Sequence, residues 1–162
     1  MPYVDSKYSD IVGRSVVAAS GVAVPGLFVP TLDLAGVGAT WTAMIVGIAG
    51  RSGHRLSGAT VAKLVASAAS AVSAYMIGSK ILTIAATPLI LAFPFAGIPA
   101  AVALNSVLNG LFTLRLGAVC ARHFGRPDFS ERDALRLGFT IGTHLLGWPT
   151  SDEIRTVKEF LS

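Results

Sequence analysis

Residues 81–114 read ILTIAATPLILAFPFAGIPAAVALNSVLNGLFTL, a stretch without one charged side chain. It exceeds the roughly 20 apolar residues that a helix needs to cross a bilayer. Phe93-Pro94 and Ile98-Pro99 interrupt it near its middle, and proline removes a helix hydrogen bond and disfavours helical backbone in the residue before it. The stretch therefore predicts a helical hairpin in a membrane rather than one straight helix.

A second apolar stretch lies earlier in the chain. From Val16 to Gly50 the only charged side chain is Asp33. Val24-Pro25-Gly26 and Val29-Pro30 divide this stretch, which predicts another proline-broken hairpin. Between the two hairpins, residues 57–79 indicate a further long helix. The fold that we predict is an all-α membrane-associated bundle.

Small side chains recur every four residues along this connecting helix. In lipid, such rows let helix backbones approach closely, and Asn side chains add hydrogen bonds between helices. We expect a close helix contact, within one chain or between two copies, formed by Gly58, Ala62, Ala66, Ser70, Ala74, Gly78, Asn105 and Asn109.

The composition changes after Gly125-Arg126-Pro127, where charged residues become frequent. We therefore expect a hydrophobic membrane-associated helical domain over residues 1–126 and an amphipathic cytosolic helical tail over residues 127–162, packed on it. Thr150 and Glu153 have the spacing of a capping box at the start of the last helix. Apolar stripes are predicted on the two tail helices at Leu135, Phe139, Gly142 and Leu146, and at Ile154, Val157 and Leu161.

Composition and charge distribution indicate a membrane protein. Hydrophobic residues make up 52% of the 162 residues and charged residues only 14%, against about 25% in ordinary soluble domains. The net charge of +4 does not indicate nucleic acid binding, because the cations flank apolar stretches instead of sharing a polar face with aromatic residues. They are predicted to bind lipid headgroups: Arg51, Arg55, Lys80, Arg115 and Arg122.

The same cations predict an orientation. Basic residues beside a membrane span favour the cytoplasmic side, and they flank both ends of both hairpins. We therefore expect a bacterial inner-membrane protein with both termini in the cytoplasm.

No catalytic or cofactor motif is present in the sequence. There is no phosphate-binding loop, nucleophile elbow or paired-cysteine metal framework. Cys120 and His123 have the spacing of half a zinc site, but only His54 and His144 remain as further histidines. We predict no metal, no cofactor and no enzymatic activity.

Asp33 allows two interpretations. A carboxylate inside an apolar stretch is a candidate for proton or ion movement. Pro30 and Thr31, however, are typical of a helix start, where the helix dipole and the free backbone amides favour a carboxylate. The capping interpretation is preferred, and an ion or proton site is the alternative.

A set of short motifs resembles the YcjF-like membrane-associated domain of unknown function. The matching residues are Val29-Pro30-x-x-Asp33, Met44-Ile45-x-x-Ile48-Ala49, Gly53, Gly97-Ile98-Pro99, Asn105, Thr113, Leu116-Gly117 and Phe124. In that family the domain often follows an Era-like GTPase, and this sequence contains none. The resemblance implies a helical membrane module without established catalytic residues.

These observations together predict a non-catalytic structural or scaffolding protein that is embedded in a membrane and self-associates. Its expected partners are the lipid membrane, a second copy of the chain and a cytosolic protein. The alternative function is a pore-forming or ion-conducting helical assembly.

Overall fold

The computed structural model describes residues 3–22, 30–73, 94–145 and 147–162. All regular secondary structure within these ranges is helical, which confirms the predicted all-α fold. The helices are α1 (Ser9–Gly21), α2 (Pro30–Arg51), α3 (Gly58–Ser73), α4 (Pro94–Phe124), a short 3₁₀ helix (Glu131–Asp133), α5 (Ala134–Leu145) and α6 (Ser151–Leu161).

Helices α1, α2 and α4 form the centre of the bundle. α1 is antiparallel to α2, because Asp10 pairs with Arg51 at one end while Val22 lies against Gly36 at the other. α4 runs parallel to α2, and the buried indole Nε1 of Trp41 donates to Thr113 Oγ1 at 2.9 Å. The first predicted hairpin is therefore an antiparallel helix pair, with α4 packed beside it.

Small residues bring α1 and α4 close together. A Cβ atom on Gly117 would lie only 2.8 Å from Val12 Cγ2, so any larger residue there pushes the helices apart. Ser20 Oγ donates to the carbonyl of Ser106 at 3.0 Å, and Ser106 Oγ donates back to the carbonyl of Ser20 at 3.1 Å. Close backbone approach and hydroxyl bonds between helices are typical of membrane helix pairs.

Two of the prolines are the first residues of described helices. α2 begins at Pro30 and α4 begins at Pro94. Proline is tolerated at the first position of a helix because the backbone N–H that it lacks would have no partner within the helix. Pro99, in contrast, lies inside α4 and does not break it. It stands in the second turn, so it removes one of the first hydrogen bonds of the helix instead of dividing it. The predicted break at 24–26 and the first half of the second hairpin fall outside the described residues.

The tail helices share one hydrophobic core with the rest of the bundle. The stripe predicted on α5 is wrong at Phe139, which is 75% exposed while Leu137, Ile141 and Leu145 are buried. The side chains of Leu135 and Leu146, which belong to the same predicted stripe, lie outside the described residues. On α6 the buried residues are Glu153 and Val157, whereas Ile154 and Leu161 are partly exposed. The ion pair of Glu153 with Arg115 fixes which face of α6 is buried. The apolar periodicity of α6 does not indicate that face.

One segment among the described helices, Val102–Phe124 of α4, is long and apolar enough to cross a membrane by length and composition. About 61% of its apolar part is buried inside the protein. Most of this segment therefore packs inside the protein. Its exposed residues are concentrated in its N-terminal part.

Candidate functional site

Three central helices each contain a stretch without charged residues toward the same end of the bundle, where the charged helix α6 packs on Gly110 through Val157. This uncharged end comprises residues 15–22 of α1, 34–50 of α2 and 94–114 of α4. Its exposed surface includes large apolar side chains that are between 38 and 60% exposed, namely Val17, Val46, Leu104 and Val107. The charged groups of α1, α2 and α4 lie toward the opposite end, apart from Asp33 near the start of α2.

Arg115, the first charged residue of α4, is not a headgroup anchor. Its side chain is only 3% exposed and forms an ion pair with Glu153 of α6, in which Nε and one Nη each donate to a carboxylate oxygen at 2.9 Å. The remaining N–H groups donate to three carbonyl oxygens, those of Leu145, Gly147 and Trp148. The expectation for Arg115 is wrong because this guanidinium is fully used inside the protein.

Glu153 joins three parts of the chain at this ion pair. Its carboxylate accepts from Arg115, from the Tyr3 hydroxyl and from the backbone amide of Thr150, and the Thr150 hydroxyl accepts from the Glu153 amide. The predicted capping box is therefore confirmed. Burial raises the pKa of Glu153, but the hydrogen bonds from Arg115 and Tyr3 outweigh it and lower that pKa to about 2.

A groove runs between α1 and α2. It has a volume of about 700 Å³. We call it the α1–α2 groove and define it by its small and apolar lining residues: Ile11, Ser15, Ala18, Ala43, Gly47 and Gly50.

Two guanidinium groups lie at one end of the α1–α2 groove. Arg14 and Arg51 both line it, and both pair with Asp10. The hydrogen bond from Arg51 lowers the pKa of Asp10 to about 2, so this carboxylate is ionised at neutral pH. Asp10, Arg14 and Arg51 therefore carry a net charge of +1 at this end of the groove.

The other predicted headgroup anchors differ in their surroundings. Arg55 and Arg122 are exposed near the charged end, where they remain available to an anionic surface. Arg51 is partly exposed but engaged with Asp10 and with the carbonyl of Lys7. Lys80 lies outside the described residues.

The small-residue row of α3 faces away from the bundle. Gly58, Ala62, Ala66 and Ser70 are exposed, whereas the buried face of α3 consists of Val61, Leu64, Ala68 and Val72. Among the described residues these four form no close helix contact, because the larger apolar side chains occupy the core. A contact between copies stays a prediction, and Ala74 and Gly78 lie outside the described residues.

The two asparagines lie on the inner side of α4. Asn109 is buried and its amide donates to the carbonyl of Ala19 at 3.3 Å, which places it in the α1–α4 contact. Asn105, one turn earlier, is partly buried. Asp33 is the fourth residue of α2, so the predicted helix start at Pro30 is confirmed while the role of its carboxylate stays a prediction.

The residues considered for metal binding do not form a cluster. No group of three or more metal-ligating side chains exists among the described residues. Cys120 is fully buried, and His123 Nδ1 lies 2.9 Å from the carbonyl of Val119 on the same helix. Burial lowers the pKa of His144, which keeps it neutral at pH 7.

The chain was compared with known proteins. No family model, curated protein or solved structure matches it. The resemblance to the YcjF-like domain therefore stays a prediction that rests on the motifs alone.

Two sets of residues were not predicted from the sequence. The first is the partnership of Tyr3 and Glu153 with Arg115. A signal did exist, because Leu111 and Val119, one turn before and after Arg115, are apolar, and a charge on such a face requires a partner. The second is Asp10 with Arg14 and Arg51. Asp10 and Arg14 are four residues apart on α1, a spacing that indicates a pair, whereas the proximity of Arg51 depends on the antiparallel pairing of α1 and α2.

Proposed function

We propose that this protein is a non-catalytic helical membrane module whose uncharged end lies in the bilayer. The observation that carries the proposal is the set of large apolar side chains exposed on that end, such as Leu104 and Val46. Large apolar side chains that are exposed on a charge-free segment favour a membrane or partner contact. The absence of charge over the same surface favours lipid as the contact.

The length of the uncharged end fits a bilayer. From Pro94 to Leu114, α4 is about 30 Å long at 1.5 Å per residue, which equals the thickness of a typical hydrocarbon core. α2 lies beside it in parallel and is uncharged from residue 34 to Trp41, which stands at the level of Thr113. The Arg115 guanidinium, which follows this segment, is neutralised by Glu153 and does not oppose insertion.

Trp148 supports this placement of the membrane surface. It is 94% exposed, and its carbonyl accepts from Arg115, so it stands at the level where the uncharged part of α4 ends. Tryptophan is enriched at the boundary between hydrocarbon and water, because its ring is apolar while its N–H requires a polar partner. The exposed Phe139 ring lies on α5, the helix that precedes this tryptophan.

The membrane would be a bacterial inner membrane, with both termini in the cytoplasm. Arg51, Arg55 and Arg122 lie at the charged end, and basic residues remain preferentially on the cytoplasmic side. Single cysteines placed at Ser6 and Ser162 should not react with an impermeant reagent in intact cells, and the buried native Cys120 should not interfere. Efficient labelling at either position would contradict this orientation.

Self-association and a cytosolic partner complete the proposed scaffolding role. The exposed row of α3, with Gly58, Ala62, Ala66 and Ser70, offers a surface on which a second copy can pack closely. Cross-linking in detergent should give a defined oligomer. Ion flux through vesicles that contain the purified protein would instead favour the ion-conducting assembly.

A charge placed in the uncharged end tests the membrane proposal. Leu104→Arg is exposed and costs little folding energy, but on insertion scales an arginine near the centre of a span costs about 2.5 to 3.5 kcal/mol. We expect it to reduce the fraction of protein that floats with phosphatidylcholine vesicles. Thr143→Arg, exposed on α5, is the matched control and should float like the wild type. Equal flotation of both variants would contradict the proposal.

A further inference from the structure

Helix α6 is held firmly at its first turn and loosely at its end. In the first turn, the Glu153 carboxylate accepts two hydrogen bonds from Arg115 and one from the Tyr3 hydroxyl. At the other end, the Phe160 ring packs against Gly13 of α1, where a Cβ atom would come within 2.8 Å of the ring. An open space of about 660 Å³ remains beside this ring. The two ends of α6 therefore differ in how strongly they are attached to the bundle.

The docked position of α6 crosses the boundary of the uncharged end. Val157 packs on Gly110 of α4, because a Cβ atom there would lie 3.1 Å from Val157 Cγ1. Gly110 precedes Arg115 by about 7 Å at 1.5 Å per residue, so α6 reaches into the segment that the proposed function places in hydrocarbon. Its outer face carries four exposed charged residues: Asp152, Arg155, Lys158 and Glu159. Charged side chains in hydrocarbon are costly, so docked α6 opposes full insertion of α4.

α6 has an apolar stripe that its docked position uses only in part. Ile154, Val157 and Leu161 share one side of the helix, yet Ile154 is 38% and Leu161 42% exposed in the bundle. A helix with such a stripe and a charged outer face fits the plane of a membrane surface, with the stripe toward the acyl chains. The capping box of Thr150 and Glu153 lies within α6 itself, so the helix keeps it in either position.

We propose that α6 is a strap that pivots on the ion pair of Arg115 with Glu153. In the docked position its last two turns cover α1 and α4. When the uncharged end enters a bilayer, these turns swing away and α6 lies in the headgroup layer on its apolar stripe. This inference rests on the proposed membrane function and adds a conformational step to it. The contacts of Val157 and Phe160 must break before α4 inserts fully, so they slow insertion.

A reversible disulfide between α1 and the end of α6 holds the strap closed. Phe160 Cγ lies 3.5 Å from the Cβ position of Gly13, so the sulfur introduced by Phe160→Cys reaches the one introduced by Gly13→Cys. The native Cys120 is fully buried and does not compete. The same double variant is compared before and after reduction with dithiothreitol, so that sequence and charge are identical in the two states.

The experiment dilutes the full chain from mild detergent into phosphatidylcholine vesicles and measures, over time, the fraction that floats with the vesicles after a carbonate wash. We expect the oxidised double variant to insert severalfold less than the reduced one. Phe160→Ala removes the ring that holds the end of the strap and should insert severalfold faster than the wild type. Leu161→Ala, its matched control, removes apolar surface from an exposed neighbour and should not insert faster. Thermal melting confirms that each variant is folded.

Equal insertion of the oxidised and reduced double variant would overturn the strap and leave the membrane proposal standing. A Phe160→Ala protein that inserts no faster than Leu161→Ala would have the same meaning. If neither the wild type nor the reduced double variant enters the vesicles, the membrane proposal is itself overturned, and the strap with it.

Discussion

Glu153→Gln tests the ion pair that joins α6 and the N-terminal segment to α4. The substitution keeps the size of the side chain and removes the negative charge that neutralises Arg115. A buried charge that loses its partner typically destabilises a protein by about 3 to 5 kcal/mol. Three carbonyl groups still accept from the guanidinium, so we expect the lower end of this range.

The pKa of Glu153 gives a second route to the magnitude. The pKa falls from 4.5 to about 2 in the folded protein. At 1.36 kcal/mol for each unit, ionisation of this carboxylate contributes about 3 kcal/mol to the free energy of unfolding. Since the folded pKa is the lower one, the contribution is complete above pH 4.5 and is lost as the pH falls toward 2.

Denaturant unfolding in one detergent, followed by tryptophan fluorescence, measures the effect. We expect Glu153→Gln to lose about 3 kcal/mol at pH 7, or roughly 6 to 12 °C in Tm for a chain of this length. The variant should also lack the part of the acid sensitivity that the wild type shows below pH 4.5. Glu159→Gln, exposed on the same helix, should stay within about 0.5 kcal/mol of the wild type. If both variants unfold like the wild type, Arg115 is not held as described.

Three further substitutions test the packing. Ala68→Ile on the buried face of α3 should lower the free energy of unfolding by about 1 to 3 kcal/mol. Ala66→Ile on the exposed face should leave the free energy of unfolding unchanged and reduce the size of any oligomer. Equal losses of stability in the two variants would contradict the assignment of the buried face of α3. Gly117→Ala should cost a similar amount in denaturant unfolding, because its Cβ would meet Val12 at 2.8 Å and Met44 at 3.1 Å, while Gly142→Ala, with free space around it, should be neutral or stabilising. Asp33→Asn should cost about 1 kcal/mol or less in the same measurement if the carboxylate only supports the helix start, and loss of an ion flux with an intact fold would show a transport role instead.

The sequence indicates the helices well because the signals that define them are local. Pro30 and Pro94 begin helices in the structure, and Thr150 with Glu153 forms the capping box that their spacing predicts. Each of these features depends on residues within one turn of each other. Pro99 is the exception, since a proline near a helix start is tolerated and cannot be distinguished by type alone from a break.

The faces of the helices were harder to predict because this composition offers several apolar faces on one helix. α3 has both a row of small residues and a row that includes Leu64 and Val72, and the larger side chains are buried because they remove more apolar surface from water. Phe139 is exposed on α5 for a related reason, since Leu137 and Ile141 form an equally apolar row. Only the tertiary arrangement decides between such rows.

The charged contacts depend on pairing between distant segments. Arg115 meets Glu153 and Tyr3 across the fold, and Asp10 meets Arg51 only because α1 and α2 are antiparallel. A flanking arginine that binds a headgroup and one that is buried in an ion pair look alike in sequence. The buried one is distinguished by the apolar side chains of Leu111 and Val119 on its own face of α4.

The most direct test of the account is whether the full-length chain remains with membranes during an alkaline carbonate wash. We expect the protein to stay in the membrane fraction under carbonate and to be released by detergent, because an uncharged end about 30 Å long is inserted in the hydrocarbon. A chain that is released by carbonate and then purifies without detergent as a stable monomer with no affinity for vesicles would contradict the account.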